Sequence, residues 1–196
     1  MAKQRQVTFD SMVELVDGFL REFEAETDRG TTVVASAYLD DLLAGMLRKY
    51  LVDEPKVVDD LLDFQGPLGT FSSRISLSYC LGLIRDDQFR DLNTVRKIRN
   101  DFAHAHQSRS FDDAPICDFC DNLSQIQRMQ QLQDEMSPRE QDVLIDRYKT
   151  RRQKFIGNTV HLAMGLMVRG AGLLHAQVGL AATSEGPNLT FEASGA

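Results

Sequence analysis

Tryptophan is missing from this 196-residue chain, and cysteine nearly so. Cys80, Cys117 and Cys120 are too few and too irregularly spaced to frame a small disulfide-stapled domain, so a reducing cytoplasm is the expected setting. The first ten residues lack the apolar stretch and small-residue cleavage site of a signal peptide, and no export is expected. Val160 to Ala182 comes nearest to a membrane span. His161, Arg169, His175 and Gln177 interrupt it at costly depths, so a helix with a broad buried face is expected there instead. There is no strand-length alternation of apolar and polar residues and no repeat of 20 to 50 residues. Phosphate loops of the Gly-x-x-x-x-Gly-Lys-Ser/Thr type, His-Glu-x-x-His and Gly-x-Ser-x-Gly are absent as well. Excess positive charge is lacking too: the net charge is −7 and the pI near 5.1, which argues against broad, non-specific binding to nucleic acid or anionic membrane while leaving room for a local basic face.

What is present is ordinary globular composition, 42% hydrophobic and 26% charged, in a length that suits one domain. From Thr8 to Glu26, Phe9, Met12, Val13, Val16, Phe19, Leu20 and Phe23 recur at helical steps. Asp28-Arg-Gly30 breaks that pattern, and Thr31 or Thr32 is placed to cap a second helix whose stripe runs from Tyr38 to Tyr50. Pro55 opens a short helix through Leu62, and Gln65 to Gly69 reads as a turn. Further helices are expected at Ser72 to Ile84, at Gln88 to about Ala105 capped by Asp86 or Asp87, at Ala114 to Leu123, and at Glu140 to about Val178. The fold class is all-α: a single-domain helical bundle over residues 1–181 with a long C-terminal helix, followed by a flexible tail, 182–196, rich in Gly, Ser, Pro, Thr and Asn. Gly157, Ala163, Gly165, Gly170, Ala171 and Gly172 would let that last helix pack closely, in the bundle or in a dimer.

The segment Arg96 to His106 is the richest in chemistry. Arg99 and His104 are five residues apart, which on a helix separates them by about 140°, so one helix cannot aim both at one atom unless its end unwinds. Asn100 and His104, at i and i+4, are aligned, and the amide could orient the imidazole. A histidine trades protons near neutral pH and an arginine clamps phosphate, a combination suited to phosphodiester cleavage by an RNA 2′-hydroxyl without metal. The plainer reading pairs Arg99 with a neighbouring carboxylate and lets His104 end the helix, where the dipole favours imidazolium. Arg96, together with Arg147, Lys149, Arg151, Arg152 and Lys154, could contact phosphates or an acidic protein surface; a solvated helix face is the alternative. Cys117-Asp-Phe-Cys120 lacks the partner pair of a zinc site and reads better as small apolar residues on a helix. No metal and no cofactor are expected.

Arg99-Asn-Asp-Phe-Ala-His104 resembles the Arg-(four to six residues)-His motif of HEPN domains. A more specific likeness precedes it: Gly66-Pro-Leu-Gly69 followed by Ser72-Ser-Arg-Ile-Ser-Leu-Ser-Tyr-Cys-Leu-Gly-Leu-Ile84 resembles the mannitol operon repressor family. The first resemblance implies a metal-independent endoribonuclease, active as a homodimer whose Arg99 and His104 motifs face each other. The second implies an all-helical transcriptional regulator without a conventional helix-turn-helix, acting through a protein partner or indirectly. Sequence-specific DNA binding is not expected from it; RNA is a partner under the first.

Overall fold

The computed structural model describes residues 18, 21–23, 25–105, 108–132 and 148–181. The helix expected at Thr8 to Glu26 falls mostly outside these residues, though 21–23 and 25 are helical and Phe23 is buried. Among the described residues seven helices follow: α1 (Asp28–Tyr50), α2 (Pro55–Leu62), α3 (Phe71–Cys80), α4 (Asp86–His104), α5 (Ile116–Asp121), α6 (Ser124–Leu132) and α7 (Arg151–Ala181). No strand occurs among the described residues. No helix among them is long and apolar enough to cross a membrane. The proposed tail 182–196 lies outside the described residues.

Several boundaries differ from expectation because caps outvote periodicity. The α1 helix starts at Asp28 rather than after Thr31 or Thr32: the Thr27 hydroxyl accepts the Gly30 N–H at 3.0 Å, while Thr31 and Thr32 are buried one turn inside. The α3 helix stops at Cys80, short of Ile84, because Gly82 takes a positive φ of 67°. There the Gly82 N–H donates to Tyr79 O and the Leu83 N–H to Ser78 O, a Schellman closure. Asp86 and Asp87 are the first residues of α4 rather than its caps; their charge favours its positive end. Gln88 Oε1 accepts the Arg85 N–H at 3.0 Å. The helix expected at Ala114 to Leu123 is present but shorter, Ile116–Asp121, and the α6 helix that follows it from Ser124 was not expected. Residues 140–147 of the expected last helix lie outside the described residues; residues 148–150 are not helical, and α7 starts at Arg151, closed by a reciprocal box in which the Thr150 N–H donates to Gln153 Oε1 and the Gln153 N–H to the Thr150 hydroxyl.

The long helices α1 and α7 pack against each other, and α4 lies across both. Leu39, Leu43 and Leu47 of α1, Leu92, Val95, Ile98 and Phe102 of α4, and Phe155, Leu162 and Leu166 of α7 make one continuous core. Their steps of three and four are what turn a sequence stripe into a buried face. Phe111, from the loop after α4, lies between Phe102 and Phe155, each ring pair 5.2 Å apart and tilted. Two glycines of α7 serve packing within the chain: a Cβ on Gly157 would strike the Tyr148 ring, and one on Gly165 the Gln88 amide.

Candidate functional site

The end of α4 carries the Arg-x-x-x-x-His segment. Arg99 is half-buried and its Nη1 donates to Asn100 Oδ1 at 3.1 Å, so this amide oxygen faces the arginine. His104 is exposed in the last turn of α4. Arg29 Nη2 donates to Ala105 O at 2.7 Å and fastens this end to α1. Asp40 of α1 stands in the field of Arg99: burial pushes its carboxyl up, against the pull of Arg74 and, more weakly, of Arg99. Arg96 lies on the same side of α4, half-buried, with its Nε out of solvent and without a hydrogen-bond partner. Within one chain, therefore, Arg99 is bonded to Asn100, while His104, about 140° round the helix from Arg99, is exposed.

The basic segment is largely consumed inside the fold. Arg151 donates to Asp121 and Asp112 at 3.0 and 2.9 Å. Lys154 ties to Asp121 as well. Burial alone would raise the Asp121 carboxyl, yet its bonds to Lys154 and Arg151 hold it below the usual range. Arg152 reaches back to the entry of α1, donating to Phe23 O, Glu26 O and the Thr31 hydroxyl and pairing with Asp28 at 3.3 Å. Lys149 is exposed, and Arg147 lies outside the described residues.

Arg74, a residue of the Ser72 to Ile84 motif without an expected role of its own, is also held on several sides. Arg74 of α3 donates from Nε to Leu68 O and from Nη2 to Leu62 O, both at 2.8 Å, and pairs through Nη1 with Asp40 at 2.8 Å. It thus binds the end of α2, the turn and α1 to one another. Gly66 and Gly69 explain the turn: a Cβ on either would lie 2.3–2.4 Å from backbone carbonyl oxygens of α2 and its exit, an approach open only to glycine. The signal was in plain view as Gly-Pro-Leu-Gly with an arginine five residues on, but it marks architecture rather than reactivity.

A polar seam joins α4, α6 and α7. Asp91, almost fully buried, accepts the Ser124 N–H at 3.0 Å and its hydroxyl at 2.6 Å, capping α6 from another helix. Burial raises its carboxyl despite those bonds. His161 of α7 is half-buried in the same seam; desolvation first, then Arg128 and Arg85, lower its pKa against the pull of Asp87 and Asp91. Cys120 is fully buried, and burial pushes its thiol up to about 12, leaving it an inert apolar filler. Cys117 is half-buried, His106 lies outside the described residues, and no trio of metal-ligating side chains gathers among the described ones.

These elements define an all-α bundle in which arginines tie its parts together. The chain belongs to the mannitol repressor family, whose sequence profile matches residues 24–170. Its fold is similar to that of MtlR in the MtlR–HPr complex from Escherichia coli, with a TM-score of 0.61 and 21% identity, covering 78% of this chain and 98% of that one. It is also similar to a possible transcriptional regulator, YggD, from Shigella flexneri, with a TM-score of 0.54 and 18% identity over 81% of this chain and 98% of that one. No curated protein matches the chain at a significant level.

Proposed function

We propose that this chain is a regulator of gene expression that works by binding a protein partner of the HPr kind rather than by reading DNA. The observation that carries this is the fate of its cations. Arg151, Arg152 and Lys154 are turned onto carboxylates and carbonyls of their own chain, so the segment offers few free charges for the phosphate contacts that dominate nucleic-acid affinity. With a net charge of −7 around it, a polyanion is repelled and a basic protein surface attracted. The similar fold of MtlR, which has been crystallised with HPr, supports the class of partner.

The test is a calorimetric titration of the purified chain with HPr, alongside an RNA-cleavage assay in chelator with wild type and His104→Ala. Saturable binding of HPr without RNA cleavage is the expected result. Cleavage that disappears in His104→Ala, with no HPr binding, would replace this reading with the metal-independent endoribonuclease in which Arg99, Asn100 and His104 of two chains share a cleft. A homodimer is part of either reading, with the open side of Gly172 on α7 available for close approach, and light scattering on the same samples measures it.

A further inference from the structure

A cavity of about 500 Å³ lies between α4 and the junction of α5 with α6. Clefts that hold small molecules commonly measure roughly 300–1,000 Å³. One wall is a single stripe of α4: Arg90, Asn93, Thr94 and Lys97 stand at i, i+3, i+4 and i+7, the spacing that puts side chains on one face. A polar stripe of this kind ordinarily faces open water, but here Asn122 and Gln127 stand across from it. The two walls are joined by Asp91, whose carboxylate accepts the Ser124 N–H at 3.0 Å and the Ser124 hydroxyl at 2.6 Å. Phe89 adds an aromatic surface to the lining, and its ring is steadied by stacking on Tyr79, with centroids 4.4 Å apart.

What the cavity offers a ligand depends on which polar groups the fold has already used. The Asp91 carboxylate is nearly buried and spent on Ser124, so it serves the wall. The amides of Asn93 and Asn122 each donate from Nδ2 to the carbonyl four residues back, Phe89 O at 2.9 Å and Asp118 O at 2.8 Å. A carbonyl accepts only from N–H, which sets both amide orientations and leaves each Oδ1 as an acceptor with no donor to it among the described residues. Thr94 gives its hydroxyl proton to Arg90 O at 3.0 Å and likewise keeps acceptor capacity. Lys97 makes no ion pair among the described residues, and its Nζ lies 5.9 Å from the Phe119 ring centroid of α5. Arg90 pairs with Asp86 at 3.0 Å, but both groups are exposed, and a ligand anion can replace so weak a bond. Seven residues set these two cations about 10 Å apart along α4.

We infer that this cavity binds a small hydroxylated organic phosphate of the size of a sugar phosphate, with its phosphate at Lys97 and its hydroxyls donating to Asn93 Oδ1 and Asn122 Oδ1. The unpaired ammonium selects an anion, the two amide oxygens select hydroxyl donors, and Phe89 with the carbon stems of Arg90 and Lys97 packs against the carbon skeleton. A free sugar brings no charge for Lys97, and inorganic phosphate brings no carbon skeleton. A ligand that spans Lys97 of α4 and Asn122 ahead of α6 adds a tie beside the one from Asp91 to Ser124, so it stabilises the fold as its concentration rises. The inference does not depend on which protein partner the chain binds.

The experiment is titration of the full chain, followed through its backbone amide NMR signals, with glucose 6-phosphate and ribose 5-phosphate, and with free glucose and inorganic phosphate for comparison. Wild type is compared with Lys97→Gln, Asn93→Ala and, as a control cation outside the cavity, Lys149→Gln; circular dichroism establishes that each is folded. The expected result is a saturable shift of amides in residues 89–97 and 122–127 with at least one sugar phosphate, together with a raised melting temperature. Affinity for that ligand is expected to fall about tenfold in Lys97→Gln and severalfold in Asn93→Ala, with Lys149→Gln unchanged. No saturable shift with either sugar phosphate overturns the inference, as do shifts confined to other residues or an equal loss in Lys149→Gln. Inorganic phosphate or free glucose binding as tightly as the sugar phosphates overturns it too, since the cavity would then be selecting only a charge or only hydroxyls.

Discussion

Residues 50–64 and residues 149–154 are both short, charged and close to the surface, yet they spend their charge in opposite directions. In the first, five carboxylates and four apolar side chains face outward, and the stabilising bonds are backbone closures and the guanidinium of Arg74 beneath them. In the second, the cations turn inward: Arg152 onto the carbonyls that precede α1, Arg151 and Lys154 onto Asp121. A run of basic letters thus became internal mortar, whereas a run of acidic letters with valines and a phenylalanine became exposed surface. What separates them is whether a complementary group of the same chain lies within reach. Asp112, Asp121 and Asp28 are near enough to neutralise the basic segment, and Arg48 is the cation that reaches the acidic one.

Replacing Arg74 tests this contrast most severely. Arg74→Ala leaves two backbone carbonyls without their donor and Asp40 half-buried without its partner, and the expected loss is about 3–5 kcal/mol in chemical denaturation. Arg152→Ala follows, with an expected loss of about 2 kcal/mol from the bonds that seat the entry to α1. Were Arg152→Ala neutral in stability and damaging only to RNA or partner binding, the distinction between internal cations and functional surface would break.

The pH response sharpens the comparison at a third place, the seam around His161. Its folded pKa lies below the ordinary 6.5 because burial, Arg128 and Arg85 disfavour the charged form. The unfolded chain therefore takes up the proton first, and this term destabilises the fold as pH falls from about 7 through the depressed value, vanishing above that range. Melting temperatures of wild type and His161→Gln, measured from pH 5 to 8, are expected to diverge on the acid side, with wild type losing more. Smallest of all are the surface effects: Lys149→Ala and Phe64→Ser each should alter stability by no more than about 0.5 kcal/mol.

Much of the fold was legible. Periodicity located α1, α4 and α7 because their buried stripes repeat at steps of three and four over many residues, and Pro55 marked the start of the short α2. It misplaced starts and stops where one or two residues decide them: the Thr27 hydroxyl at α1, the positive φ of Gly82 after α3, Thr150 and Gln153 at α7. The rotation between Arg99 and His104 was also legible from spacing, and the fold holds Arg99 with Asn100 while His104 is exposed.

The amino-acid order alone determined the all-helical class, the family motif and the close turn at Gly66 and Gly69, because these depend on neighbours within a few residues. Tertiary structure decided the rest: Asp91 capping a helix 33 residues away, Arg152 reaching carbonyls more than 120 residues upstream, and Phe64 remaining outside while Phe23 and Phe102 are enclosed. Whether a charge is spent or offered, and whether an apolar ring is buried, depends on what distant chain folds beside it, and that proximity is not a property of local sequence.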